Sequence, residues 1–166
     1  MSITDEQFYY RYWSHLGKYI DVEVINDSTN MSVLKKAPSA AKVDAQTFKS
    51  WKKGSVKVKC NARISRADHW IHVDVTLWGP EPERNNLYKV LKEHSLKRKK
   101  EFEEKGGVLK SNLGGNNEES YIKLVMSNKD PNSEKDWPIQ HKWLADRIAH
   151  FLKVFDPLIE NYNSSI

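Results

Sequence analysis

From Phe8 the apolar positions of this chain recur three and four residues apart, at Phe8, Tyr12, Leu16, Tyr19 and Ile20. That spacing lays one stripe along a helix. Thr4 and Gln7 have the capping-box separation, and Asp5 and Glu6 fill the first turn, where the helix dipole favours negative charge. From residue 55 the period falls to two. Val56, Val58, Cys60, Ala62 and Ile64 alternate with Lys57, Lys59, Asn61 and Arg63. After a polar turn at 65–69, Ile71, Val73, Val75 and Leu77 alternate with Trp70, His72, Asp74, Thr76 and Trp78. Together these predict an antiparallel hairpin with one dry and one wet face. Residues 26–42, rich in Ser, Asn, Thr and Ala, read as a long loop. Beyond it, Val43, Thr47 and Trp51 predict a short helix starting at Ser39 and stopped by Gly54.

A second helix is expected over 82–105, with Leu87, Leu91 and Phe102 inward and Gly106-Gly107 as its cap. His94 and Arg98 interrupt that stripe. Two alternating runs, 108–113 and 121–126, flank Gly114, Gly115, Asn116 and Asn117 and predict a second hairpin. Leu144, Ile148, Phe151, Leu152 and Phe155 mark the inner face of a last helix, which Pro157 should bend or restart before Tyr162. The pattern predicts one α+β domain over residues 1–166 in α-ββ-α-ββ-α order. It would hold a mainly antiparallel four-stranded sheet and three principal helices. Tyr12, Trp13, Trp143 and Phe151 should be buried where the first and last helices pack.

Composition narrows the class. A chain of 166 residues with six Trp, seven Tyr and five Phe can bury a core without staples. The lone cysteine, Cys60, excludes an intrachain disulfide and a cysteine-built zinc site, and its apolar strand phase makes it a core thiol. No apolar run is long enough to span a bilayer and no leader pattern opens the chain, so a cytoplasmic protein without a membrane partner is expected. The net charge of +5 is compatible with a nucleic-acid partner.

Catalytic chemistry is poorly represented. Metal-assisted nucleases need clustered carboxylates, but Asp74 faces Lys57 and Lys59 across its hairpin rather than an acid. Glu103, Glu104 and Lys105 have a suggestive spacing but lie at a helix end. His69, His72 and Asp74 are the tightest set of conceivable metal ligands, with paired surface charge as the simpler reading. No cofactor and no metal is expected. The basic residues form a better pattern. Lys57, Lys59, Arg63 and Arg66 line the wet face and tip of the first hairpin beside Trp70, His72 and Trp78. Cations for phosphates interleaved with rings for bases are what a single-strand platform needs. A second basic patch, Lys97, Arg98, Lys99 and Lys100, should overhang the sheet at the end of the long helix.

Phe8, Tyr9, Tyr12 and Trp13 in the opening helix, the strand 71–77, the charged helix from Asn86 to Gly107, and Trp137, Pro138, His141, Trp143, Leu144, Phe155 and Pro157 in the closing helix carry a resemblance. Over most of its length outside 26–53, the chain resembles the prokaryotic domain-of-unknown-function family 4268. The resemblance implies an accessory module near nuclease-like domains and supplies no catalytic residues. The resulting expectation is a non-catalytic protein that binds DNA or RNA electrostatically in a restriction-like or defence setting. The alternatives are a module that recruits or inhibits a nuclease-like partner and, third, a metal-dependent nuclease.

Overall fold

The computed structural model describes residues 3–20 and 38–163. Helix α1, Asp5–Tyr19, carries the expected capping box, with Thr4 and Gln7 each closing on the other's backbone. The sheet strands are β1 (Ala45–Lys53), β2 (Val56–Ser65), β3 (Trp70–Trp78), β4 (Val108–Asn112) and β5 (Ser120–Ser127). Helices α2 (Glu81–Lys97) and α3 (Lys99–Glu103) connect β3 to β4. One 3-10 turn, Glu134–Asp136, leads into α4, Trp137–Glu160. The sheet is antiparallel throughout, in the order β1-β2-β3-β5-β4. The chain therefore leaves β3 through α2 and α3, enters the edge as β4, and turns back as β5 beside β3.

The α+β class is as expected, but among the described residues the sheet has five strands rather than four and the α-helices number four rather than three. Both differences have local causes. The segment expected as a short helix before Gly54 is strand β1, paired with β2 from Ala45↔Arg63 to Lys53↔Val56. A register shift between Thr47 and Lys49 puts Thr47 and Trp51 on opposite faces and hides the alternation. Gly54, at φ 60, supplies the left-handed position that the tight β1–β2 turn requires. The expected helix over 82–105 breaks at Arg98, whose φ −110 and ψ 20 leave the helical region. The break turns α3 so that Phe102 is buried, while His94 and Arg98 stay off the core. Of the long loop expected over 26–42, residues 26–37 lie outside the described residues; 38–42 form no helix or strand. Pro157 lies inside α4 without ending it, and the helix continues to Glu160.

All the principal helices pack on the dry face. Trp137, His141, Leu144, Ile148, Phe151, Phe155 and Ile159 run down the inner side of α4 and are buried. They meet Val58, Cys60, Val73 and Val75 from the sheet and Tyr12, Trp13 and Leu16 from α1 in one core. Tyr12, Trp13, Trp143 and Phe151 are buried as expected. Gly107 makes one contact possible: at φ 99, a Cβ there would lie 3.1 Å from Leu124 and 3.2 Å from Trp143. Arg84 is fully buried without a carboxylate. Its guanidinium donates to the carbonyls of Gly114, Gly115 and Glu118 and so ties the β4–β5 loop to α2.

Candidate nucleic-acid interface

Antiparallel pairing puts directly opposed residues on the same face, so the register defines the side away from the helices row by row. Lys52, Lys57 and Trp78 form one row. Ser50, Lys59, Thr76, Tyr121 and Asn112 form the next. The third is Thr47, Asn61, Asp74, Lys123 and Lys110. Arg63, His72, Val125 and Val108 follow, then Ser65, Trp70 and Ser127. Among the described residues, this face carries six cations, Lys52, Lys57, Lys59, Arg63, Lys110 and Lys123, against the single acid Asp74. Two rows set lysine directly against lysine, Lys52↔Lys57 and Lys110↔Lys123. Like charges in that position destabilise a sheet.

Asp74 does nothing to balance the lysines, because its carboxylate is used up within the face. It is 2% exposed. Asn61 Nδ2 donates to Oδ1 at 3.0 Å and Thr76 Oγ1 to the same oxygen at 2.6 Å. Arg63 Nε donates to Oδ2 at 3.1 Å, and His72 Nε2 lies 2.9 Å from that oxygen. Thr47 Oγ1 extends the chain by donating to Asn61 Oδ1 at 2.7 Å. Burial alone would raise the Asp74 pKa, but the hydrogen bonds and charge of its partners outweigh it and hold the group below its ordinary value. Burial lowers the His72 pKa against the pull of Asp74, with Lys123 and Arg63 adding to the decrease. A neutral His72 therefore donates from Nε2 to an ionised Asp74. Its Nδ1 is buried without a partner.

The rings on this face are tied to the same set. Trp70 stacks on His72 with centroids 4.8 Å apart and planes 1° from parallel. Lys59 lies 5.8 Å over the Trp78 ring and Lys123 4.7 Å over Tyr121. Trp70 and Trp78 are half-buried while His72 is buried, so the indoles form the outer layer.

Of the residues singled out from sequence, Lys57, Lys59, Arg63, Trp70, His72 and Trp78 share this face. Arg66 does not join them. Its guanidinium donates to Asn132 at 2.7 Å and Asp5 at 2.9 Å and lies 3.8 Å from the Phe8 ring, pinning the β2–β3 turn to α1. The patch Lys97, Arg98, Lys99 and Lys100 sits at the α2–α3 break instead of overhanging the sheet on one long helix. Lys97 pairs with Glu93 at 3.3 Å, and Arg98 approaches His94 at 3.5 Å. Sequence reading missed Lys52, because β1 was expected to be helical. It also missed Tyr121, Lys123 and Lys110, whose alternation with Ile122 and Leu124 was a legible signal.

Acid–base and metal chemistry find little here. His69 turns away from His72 and Asp74 toward Asp130, 3.6 Å away, so the three sequence-proposed ligands do not converge. Among the described residues no group of three or more His, Cys, Asp or Glu could hold a metal ion. The His72–Asp74 pair has the form of a general base, yet the Thr76 hydroxyl beside it already donates to Asp74. Cys60 is buried on the dry face, and burial pushes its thiol pKa up, away from a reactive thiolate. A second histidine pair lies between α1 and α4, with His15 Nδ1 2.6 Å from His141 Nδ1 and Tyr12 edge-on to His141. One ring must donate its proton to the other, so the accepting ring is neutral, and burial lowers the pKa of both histidines. Burial pulls the His141 pKa down to about 3.

No described helix is long and apolar enough to cross a membrane. Compared with known proteins, the chain matches no family model, no curated protein and no solved structure.

Proposed function

We propose that this chain is a non-catalytic accessory protein that binds nucleic acid through the open face of its sheet. The carrying observation is the pair of lysine–lysine rows, Lys52↔Lys57 and Lys110↔Lys123. Each costs the fold free energy, and no described acid on that face offsets it, since Asp74 is committed to Asn61, Thr76, Arg63 and His72. A polyanion supplies the missing countercharge, and release of its counterions makes binding salt-dependent. The resemblance to a nuclease-associated family supports a restriction-like or defence setting in a prokaryotic cytoplasm. The α2–α3 cations at Lys97–Lys100 form a secondary contact in this reading.

Fluorescence anisotropy with labelled oligonucleotides at about 50 and 200 mM salt tests the proposal, with affinity expected to fall steeply between the two. Lys57→Glu together with Lys59→Glu should abolish binding while melting stays near wild type. Absence of binding by the wild-type protein at the lower salt rejects the reading. The second reading, a module that recruits or inhibits a nuclease-like protein, draws on Tyr10, 51% exposed beside a shallow groove lined by Glu6, Gln7 and Lys42. Tyr10→Ala weakening capture of a nuclease-like protein, with oligonucleotide binding absent, would favour it.

A further inference from the structure

We infer that the ligand of the open face is a single strand laid along β3, with bases stacked at its two ends on Trp70 and Trp78. The inference rests on the nucleic-acid reading above and adds the strand class, its path and its length. Trp70 and Trp78 both point to the open face from the ends of one strand. Trp78 stands eight positions beyond Trp70, which in extended chain is about 26 Å. Between them lie Thr76, Asp74 and His72, none taller than the indoles that flank them. Indole faces bind unpaired bases, whereas a duplex buries its bases and would offer this face phosphates alone.

The cations follow the same line. On β2, Lys57 stands opposite Trp78, Lys59 opposite Thr76 and Arg63 opposite His72. Positions two apart on a strand are separated by about 7 Å, close to one repeat of an extended polynucleotide backbone. A strand whose phosphates track β2 therefore keeps its bases over β3. Arg63 is aimed for this: its Nε is held by Asp74 at 3.1 Å, and among the described residues neither terminal nitrogen has a partner, which leaves both for a phosphate. Trp70 offers a preassembled stack, because His72 already lies flat against it. A base added there would extend an existing pile. Beside it lies an open groove of about 590 Å³, lined by Tyr9, Ser65 and Arg66 together with the acids Asp5 and Asp44. The distance between the tryptophans corresponds to roughly five nucleotides.

The test uses the full chain and four probes of equal label: a thymidine oligomer, a uridine oligomer, an abasic strand of the same length and a duplex. Tighter binding of either base-bearing strand than of the abasic strand and the duplex is expected. Affinity should rise with length and level off near five nucleotides. Trp70→Ala and Trp78→Ala should each weaken single-strand binding about 10- to 100-fold while leaving the salt slope unchanged, and Trp70→Phe should recover most of the loss. Thermal melting of each variant separates lost stacking from lost fold. Preference between the thymidine and uridine oligomers assigns DNA or RNA within the same chemistry. Equal binding of abasic and base-bearing strands, or a preference for duplex, overturns the single-strand inference while the nucleic-acid reading stands. Failure of all four probes at low salt removes both.

Discussion

Lys49 and Lys59 occupy adjacent strands on opposite faces of one sheet, and their surroundings differ in kind. Lys49 points into the helix layer, where Asp156 takes its ammonium at 2.7 Å and the Trp51 ring lies 5.5 Å away. Trp51 donates to the same Asp156 oxygen at 2.8 Å. Elsewhere in that layer Arg147 and Lys105 share Asp146, Arg11 meets Glu134, and His150 meets Glu101. Among the described residues, Lys59 on the open face has only the Trp78 ring, and Lys52, Lys57, Lys110 and Lys123 form no ion pair. On the helix side packing brings acids to Lys49, Lys105, Arg11 and His150, while Arg84 is met by backbone carbonyls instead. On the open side only Arg63 meets an acid among the described residues, and the five lysines do not. If the open face binds nucleic acid as proposed, substitutions on the two faces should diverge, one set changing stability and the other binding.

The largest effect should come from the packed side. Trp143 is 8% exposed and lies against Gly107, at the contact of α4 with the β4–β5 pair. Trp143→Ala opens a cavity there and should cost about 3–5 kcal/mol, read as a lowered denaturant midpoint. A midpoint near wild type would place this indole outside the core and blur the distinction between the faces.

Acid should also strike the packed side first. His141 has its folded pKa drawn down to about 3 by burial and by His15. The unfolded chain therefore binds a proton that the folded chain refuses, and stability falls as pH drops below the unfolded histidine value of about 6.5. Between pH 7 and pH 5 this one group should remove about 2 kcal/mol. His150 and His72, also lowered by burial, act in the same direction. The Asp74 and Asp146 carboxylates, held below their ordinary values, add their losses only at lower pH. His141→Phe should flatten the slope between pH 7 and 5, whereas an unchanged slope would show that this ring titrates freely.

Asp74 joins the two regimes, being buried yet part of the open face. Asp74→Asn keeps the shape and removes the charge that Arg63 and His72 meet, so a loss of about 1.5–3 kcal/mol is expected from its charged hydrogen bonds. Nucleic-acid affinity should fall with it, since Arg63 loses its anchor. Metal-dependent cleavage of DNA or RNA by the wild type, abolished in this variant, would instead revive the nuclease alternative.

How much of this was legible depended on whether a signal was local. The β2–β3 hairpin was readable because alternation persists without interruption from Val56 to Ile64 and from Trp70 to Trp78, which placed six face residues correctly. In β1 the shift between Thr47 and Lys49 erased the alternation, and Lys52 was lost with it. The break at Arg98 has no Gly or Pro to announce it. Arg66 looked like a phosphate ligand because Asp5 and Asn132, its partners, are 61 and 66 residues away. His15 meets His141 across 126 residues, a pairing no spacing rule could reveal. Periodicity reports which way a side chain points, while its partner on that side is set by topology.

The smallest change gives the sharpest test, because its two readouts should move in opposite directions. Lys52 faces Lys57 across the β1–β2 pair, and both side chains are exposed. Lys52→Glu turns a repulsive cross-strand row into an attractive one and should raise stability by about 0.2–1 kcal/mol. The same substitution lowers the positive potential of the open face and should weaken oligonucleotide binding, with a shallower salt dependence. A helix-side counterpart behaves otherwise: Lys49→Glu meets Asp156 at close range and should lower stability. Chemical denaturation and anisotropy on the same protein samples check both. If Lys52→Glu destabilises the fold, that lysine is structural after all. If it stabilises the fold and leaves binding intact, the lysine rows are not the contact surface, and the open face loses the observation that singled it out.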